Sequence, residues 1–160
     1  MKQFNGTPVL QRRELLQLAI ALPAIVLSKP ATAASAFPTV VVYRNPGCGC
    51  CEKWTEQIKS AGFEISMQDD PDLAARKTKL GVPDQLAGCH TALIGAYVIE
   101  GHVPPDDIIL FLAQKPVALG LAVPGMPVGS PGMEMGDSKE PYEVLMFKAD
   151  GTWTGYAKHS

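Results

Sequence analysis

The sequence predicts an α/β fold in which a mixed sheet carries flanking helices and ends in a β-hairpin. Short β-rich segments alternate with segments of helical periodicity over 39–114, a pattern typical of α/β domains. Asp150 and Gly151 lie between two β-rich runs near the chain end, and this pair favours a hairpin turn. Between these regions, 117–136 is rich in Pro, Gly and Met without periodicity, which predicts an ordered but irregular loop.

The first predicted strand, 39–43, is a run of threonine, valine and tyrosine followed by turn-forming residues. A helix is predicted over 50–61, because Trp54, Ile58 and Ala61 fall on one face and Gly62 follows as a stop signal. The alternation of apolar and polar residues over 63–67 indicates a second strand.

The remaining elements complete a recognisable order. Acidic residues and a proline over 69–72 open a helix that ends near Leu80. Two strands joined by a glycine turn are expected at 91–94 and 97–100. A further helix is expected at 108–114, and the strands of a terminal hairpin at 143–148 and 152–156. Strand-helix-strand-helix-strand-strand-helix is the order of thioredoxin and glutaredoxin, so the predicted fold class is a thioredoxin-like mixed sheet with flanking helices, a C-terminal Pro/Gly/Met loop and a β-hairpin.

Residues 1–36 have the composition of a secretory signal peptide. Lys2, Arg12 and Arg13 precede an apolar run over 15–27 and a small-residue stretch over 31–36. The paired arginines resemble a twin-arginine signal, and cleavage after Ala33, Ala34 or Ala36 fits the small-x-small rule. The run is too short for a hydrocarbon layer of ~30 Å, although an uncleaved anchor stays the alternative. We therefore expect a periplasmic domain over 37–160.

The charge of residues 37–160 excludes one class of partner. They contain 10 lysines and arginines against 15 aspartates and glutamates, a net charge of −5. An acidic surface argues against nucleic acid. No second apolar stretch is long enough to span a membrane, so no span is expected after cleavage.

The four cysteines are the strongest chemical signal. Cys48, Cys50 and Cys51 surround the predicted start of the first helix, and Cys89 comes before the third strand. An even number of cysteines in an exported protein normally indicates structural disulfides, but three thiols in one turn suit such a framework poorly. The helix N-terminus stabilises thiolates, and a thiolate serves both as nucleophile and as metal ligand. Cys48 and Cys51 form a C-x-x-C redox pair, so position alone leaves both chemistries open.

The extra cysteine favours metal binding. Neighbouring helical residues project about 100° apart, so Cys50 and Cys51 suit different ions of a small cluster with bridging sulfurs. Thiolate-rich sites select copper(I), zinc or iron–sulfur clusters. Structural zinc prefers two separated ligand pairs, which makes zinc the weaker candidate. For Cys51, on the same face as Trp54 and Ile58, a buried apolar role is the alternative.

Histidine and methionine supply further candidate ligands. His90 follows Cys89, and His102 follows the fourth strand; the alternatives are a core histidine and a solvated loop residue respectively. Met126 and Met133 lie in the Pro/Gly/Met loop, and thioethers are soft ligands for copper(I), although methionine is also ordinary packing material. His159 lies near the chain end, where order is usually lost, and we expect it outside the site.

Four segments together resemble the bacterial CopG-like family of exported, thioredoxin-like copper-resistance proteins. They are 41–54 with the cysteine triplet, 88–92 with Gly-Cys-His-Thr-Ala, 97–104 and 120–134. The resemblance implies a copper site around Cys48, Cys50, Cys51 and Cys89, and a role in cycling copper between its oxidation states. By the same matching motifs it extends to the remaining candidate ligands, which are His90, His102, Met126 and Met133.

The sequence thus predicts an exported protein that holds copper(I), in one or several ions, on clustered cysteines and contributes to copper resistance. Its partners would be the metal ion and a periplasmic copper-handling or redox protein. A periplasmic thiol–disulfide oxidoreductase is the alternative, and a disulfide-stapled interaction domain is a third. Whether the protein is catalytic is left open by the sequence.

Overall fold

The computed structural model describes residues 37–160, and the predicted signal peptide, 1–36, lies outside them. Within the described range there are seven strands and three α-helices. The helices are α1 (Gly49–Ser60), α2 (Leu73–Lys79) and α3 (Pro105–Gln114), with a 3₁₀ helix at Asp84–Leu86. The strands are β1 (Val40–Arg44), β2 (Ile65–Asp69), β3 (His90–Ile94), β4 (Tyr97–Glu100), β5 (Gly120–Ala122), β6 (Tyr142–Phe147) and β7 (Trp153–His159). No helix in 37–160 is both long and apolar enough to cross a membrane.

All seven strands form one mixed sheet in the order β2-β1-β3-β4-β5-β6-β7. The β1/β2 and β4/β5 pairs are parallel, and the other four pairs are antiparallel. The first four strands with the three helices form the predicted thioredoxin-like arrangement. The last three strands extend the sheet on the β4 side, and the predicted hairpin is their outer edge.

Helical segments cover both faces of the sheet, as predicted. Trp54 and Ile58 of α1 and Phe111 of α3 are fully buried in one core, which they share with alternate residues of the strands. Leu86 of the 3₁₀ helix and Val98 of β4 belong to a second core on the opposite face. Adjacent strand residues serve opposite faces because side chains alternate along a strand.

The predicted irregular loop contains a strand that the sequence pattern missed. Three residues, Gly120–Ala122, pair in parallel with β4. A side chain at Gly120 would place its Cβ 1.7 Å from the carbonyl oxygen of Val98, so only glycine permits this close strand approach. α3 begins at Pro105, three residues before the predicted start, because proline suits the first helical position.

Candidate metal centre

The strand order brings distant cysteines together. Cys48 is the N-cap of α1, Cys50 and Cys51 lie in its first turn, and Cys89 directly precedes β3. β1 and β3 are adjacent and antiparallel, with Arg44 opposite His90. The end of β1 therefore meets the start of β3, and the residues just beyond both strand ends converge.

The four sulfur atoms form one compact group. All lie within 4.8 Å of one another. The Cys89 Sγ is 3.2 Å from the Sγ atoms of both Cys48 and Cys50, and 3.5 Å from that of Cys51. Cys51 is fully buried and the other three are half-buried. Cys51 is therefore both fully buried and a member of the sulfur group, so its two predicted roles are compatible.

Two of the four cysteines are joined. Cys48 and Cys51 form a disulfide, whereas Cys50 and Cys89 carry free thiols. Burial, followed by the hydrogen bond and the charge of Cys50, raises the pKa of the Cys89 thiol to about 12. Cys89 is thus protonated at neutral pH in this disulfide state, and a metal ion that binds there must displace its proton.

Two buried histidines lie beside the sulfurs. The His90 ring contacts Trp54 at 4.3 Å and His102 at 5.1 Å between centroids. Cys89, His90 and His102 each have one potential ligand atom that lies within 4.8 Å of those of the other two. Burial lowers the pKa of both histidines, that of His90 well below 6.5. Both rings are therefore neutral and able to donate a lone pair.

The hydrogen bonding of His102 defines which nitrogen is free. Its Nδ1 lies 2.7 Å from the carbonyl oxygen of Pro131, and a carbonyl oxygen only accepts, so Nδ1 carries the proton. Within the described residues Nε2 has no hydrogen-bond partner, and neither nitrogen of His90 has one. A buried imidazole that donates one N–H to a backbone carbonyl and leaves the other nitrogen unpaired is the usual arrangement of a metal-ligating histidine.

A buried ion pair anchors the loop that carries Cys89. Glu100 is fully buried and accepts hydrogen bonds from Lys77 Nζ, the Gly88 N–H at 2.7 Å and the Thr91 hydroxyl at 2.7 Å. Lys77 also donates to Thr91 at 3.0 Å. Burial raises the pKa of Glu100 against the opposing effect of Lys77. Glu100 and Lys77 were not predicted as site residues, because neither lies in a cysteine motif; the one signal was an acidic residue at the end of an otherwise apolar strand.

The Pro/Gly/Met loop closes over α1. Gly132 packs on the helix so tightly that a Cβ there would lie 2.7 Å from the Cys50 carbonyl oxygen. Met133 lines a cavity together with Cys50. Met126 is 53% exposed and does not line this cavity. Of the two predicted methionines, Met133 thus shares a cavity with a cysteine of the group and Met126 does not.

The donor set fits a soft metal ion. Four sulfurs and two neutral imidazoles converge, with three buried ring nitrogens unpaired. Thiolate sulfur prefers copper(I), zinc or iron–sulfur clusters over hard cations. With the Cys48–Cys51 disulfide closed, only Cys50, Cys89 and the imidazoles are available; reduction makes all four sulfurs available.

The fold and this group define a thioredoxin-like protein with a thiol-rich candidate metal site. Two solved structures, described as copper resistance protein CopG, form 2 and form 1, are 40% and 41% identical to it. Each match covers 77% of this chain, and 99% and 98% of those chains, with a TM-score of 0.73. The chain therefore belongs to the CopG family of copper resistance proteins.

A family model described as a protein of unknown function, DUF411, matches 86–133. The matched range contains the predicted histidine and methionine ligands together with Cys89, and the cysteine triplet of α1 lies before it. A search of the curated proteins gave no match.

Proposed function

We propose that this protein is an exported copper-binding protein that holds copper(I) on its four cysteines and contributes to copper resistance. The observation that carries the proposal is the convergence of all four sulfurs within 4.8 Å beside two neutral imidazoles. Family membership supports copper over zinc, because the two solved relatives are described as copper resistance proteins.

The proposed site holds more than one ion. The four sulfurs and the two imidazoles supply six soft donors, which is more than one tetrahedral metal ion takes up. His90 and the Nε2 of His102 are the proposed nitrogen donors, since burial leaves them neutral and unpaired. Met126 and Met133 as resident ligands stay predictions from the sequence; for Met133, transient binding is proposed below in place of residence.

Reduction precedes loading in this proposal. The Cys48–Cys51 disulfide withholds two sulfurs from a metal ion. Two electrons and two protons from a thiol reductant convert it to two thiols, and copper(I) then displaces the thiol protons. The role in cycling copper between its two oxidation states requires an external electron partner, which we propose to be a periplasmic redox or copper-handling protein.

An anaerobic copper(I) titration tests the proposal. The reduced protein is titrated in competition with bicinchoninate, beside a Cys89→Ser variant whose folding is checked by circular dichroism. We expect more than one copper(I) per chain, and fewer in the variant, because Cys89 contacts the other three sulfurs. Uptake of one ion or none, unchanged in Cys89→Ser, contradicts the proposal.

A thiol–disulfide oxidoreductase is the second candidate, favoured by one specific observation. The disulfide joins a C-x-x-C pair at the start of α1, and the Cys89 sulfur is 3.2 Å from Cys48. In this reaction the reduced Cys48 and Cys51 give two electrons and two protons to a disulfide substrate and close to a disulfide, which a dithiol reductant such as dithiothreitol opens again. Acceleration of insulin reduction by metal-free protein, abolished in Cys48→Ser, supports this candidate; no acceleration eliminates it.

Export is part of the proposal. The charged, apolar and small-residue order of 1–36 supports a signal peptide cleaved near Ala33 to Ala36. N-terminal sequencing of the protein from a periplasmic fraction tests it. A first residue between 34 and 37 supports export and cleavage, and recovery of the uncleaved chain in the cytoplasm contradicts them.

A further inference from the structure

An open cavity adjoins the cysteine group on one side. It has a volume of about 590 Å³ and lies between the first turns of α1 and the Pro/Gly/Met loop. Its lining includes Cys50, Glu52 and Glu56 from the helix, and Met133, Glu134 and Met135 from the loop. Among the four cysteines only Cys50 belongs to this lining in the described structure. Cys50 is therefore the sulfur through which the cavity meets the cluster.

The cavity lining contains two kinds of soft donor, the thioethers of Met133 and Met135 and the thiol of Cys50. Met135 is 64% exposed and Met133 is half-buried. The Cys50 sulfur lies 3.2 Å from that of Cys89 and 3.5 Å from that of Cys48. The lining thus offers two thioethers and, at Cys50, a thiol whose sulfur contacts those of Cys89 and Cys48.

The loop wall of this cavity is held in place by several contacts. His102 donates to the Pro131 carbonyl, and Gly132 packs against the α1 backbone. Glu134 accepts from the Gln57 amide at 2.7 Å and from the Gly132 N–H at 3.0 Å. The Met133 N–H and carbonyl bond to Ser130 and Gly129 at 2.8 and 3.0 Å. These contacts fix the backbone that carries the two methionines.

The charge around the cavity favours a cation. Glu52, Glu56 and Glu134 line it, and Lys53 is the basic residue in the same lining. Glu52 also pairs with Arg44 at 2.7 Å, so the acidic excess is moderate. A cation is attracted to such a mouth without being held there by a cage of carboxylates.

We propose that Met133 and Met135 form a transient exchange site through which copper(I) passes to and from Cys50. The inference rests on the proposed copper function. An incoming copper(I) ion exchanges a ligand of its donor for the neutral thioethers, and then for the Cys50 sulfur, which loses its proton to solvent if it is still a thiol. Copper stays in the +1 state throughout, and no electron is transferred. Thioethers suit this step because they bind copper(I) without a proton to displace.

The test separates the rate of uptake from the final binding. Transfer of copper(I) from its bicinchoninate complex to the reduced full-length protein is followed by stopped-flow absorbance. The variants are Met133→Leu, Met135→Leu and the double variant; Met67→Leu is the control, since Met67 is half-buried like Met133 but lies on β2, outside the cavity. We expect the double variant to slow uptake roughly tenfold, equivalent to about 1.4 kcal/mol in the barrier, with unchanged final stoichiometry and affinity.

Each other outcome overturns the inference. An unchanged rate in the double variant shows that copper takes another route. A reduced stoichiometry or affinity shows that the methionines are resident ligands. Equal slowing by Met67→Leu removes the role of the cavity. The failure of the proposed function is distinguishable from all three, because the unmodified protein would then take up no more than one copper ion at equilibrium.

Discussion

At the scale of single residues, the state of the Cys48–Cys51 pair decides how many sulfurs a metal ion can reach. The disulfide leaves Cys50 and Cys89 as free thiols. We predict two thiols per chain in the oxidised protein and four after reduction and removal of the reductant. Alkylation followed by mass spectrometry counts them. No free thiol before reduction would indicate paired disulfides and support the disulfide-stapled interaction domain instead.

The Glu100–Lys77 pair is the next feature at this scale, and it predicts a large loss on truncation. Glu100→Ala leaves the Lys77 ammonium, 13% exposed, without its carboxylate and the Gly88 N–H without its acceptor. We expect the free energy of unfolding to fall by about 3–5 kcal/mol, as when one partner of a buried pair is removed. Urea denaturation of the metal-free protein measures it.

Glu100→Gln is the matched control for that experiment. Its amide oxygen still accepts from Gly88, so we expect a smaller loss than in Glu100→Ala. If the alanine variant loses less than about 1 kcal/mol, the pair has only the strength of an exposed ion pair, and Glu100 does not anchor the Cys89 loop.

The individual site residues differ in how far sequence alone predicts them. The gathering of Cys48, Cys50, Cys51 and Cys89 follows from their positions at the ends of strands that a thioredoxin-like order makes neighbours. Glu100 and Lys77 could not be paired in advance, because 23 positions separate them and their contact depends on how α2 packs on the sheet. The disulfide partner of Cys48 was likewise one of several possibilities.

At the scale of elements, the Pro/Gly/Met loop depends on its close contact with α1. Gly132 has φ +86°, and a Cβ there would lie 2.8 Å from the backbone nitrogen of Trp54 and 2.7 Å from the carbonyl oxygen of Cys50. We predict that Gly132→Ala lowers the free energy of unfolding by about 2–5 kcal/mol, combining left-handed backbone strain with overpacking. Urea denaturation measures the loss.

Gly136→Ala isolates the backbone contribution. Gly136 has φ +60, but no atom lies within 4 Å of the position of its Cβ. We expect this variant to lose only about 1–2 kcal/mol. Equal losses in the two variants would contradict a tight contact between the loop and α1.

The elements themselves were largely predictable where periodicity was strong. α1, β3, β4 and the terminal hairpin agree closely with their sequence patterns. β5 was not predictable, since three residues are too few to show alternation and the surrounding prolines and glycines indicate a loop. Its existence depends on β4 offering a free edge, which is a tertiary property.

At the scale of the whole molecule, the chain end is tied to the body of the fold. We expected His159 to lie in a frayed terminus; instead β7 pairs with β6, and His159 contacts Asp107 of α3 at 2.7 Å and stacks on Tyr142. The expectation was wrong because terminal order depends on strand pairing rather than on position in the sequence. His159 remains outside the cysteine group, as expected.

The burial of Tyr142, on which His159 stacks, predicts a loss of stability at alkaline pH. Burial, then the charges of Asp107 and Glu134, raise the pKa of Tyr142 to about 12 from an ordinary value of 10. The folded state therefore favours neutral tyrosine, so its contribution to stability is complete below pH 10 and is lost as pH rises from 10 through 12. Denaturation curves at several pH values should show this loss in the parent protein and a smaller one in Tyr142→Phe. Equal losses would contradict a raised pKa.

The central claim for the molecule is that the reduced protein assembles copper(I) on the converging cysteines. X-ray absorption at the copper edge of anaerobically loaded protein tests this most directly, because it reports the atoms bound to copper. We predict a coordination shell dominated by sulfur, together with a copper–copper scattering path from bridging thiolates. A shell of nitrogen and oxygen without sulfur, or an isolated ion without a neighbouring copper, would contradict the four-cysteine cluster.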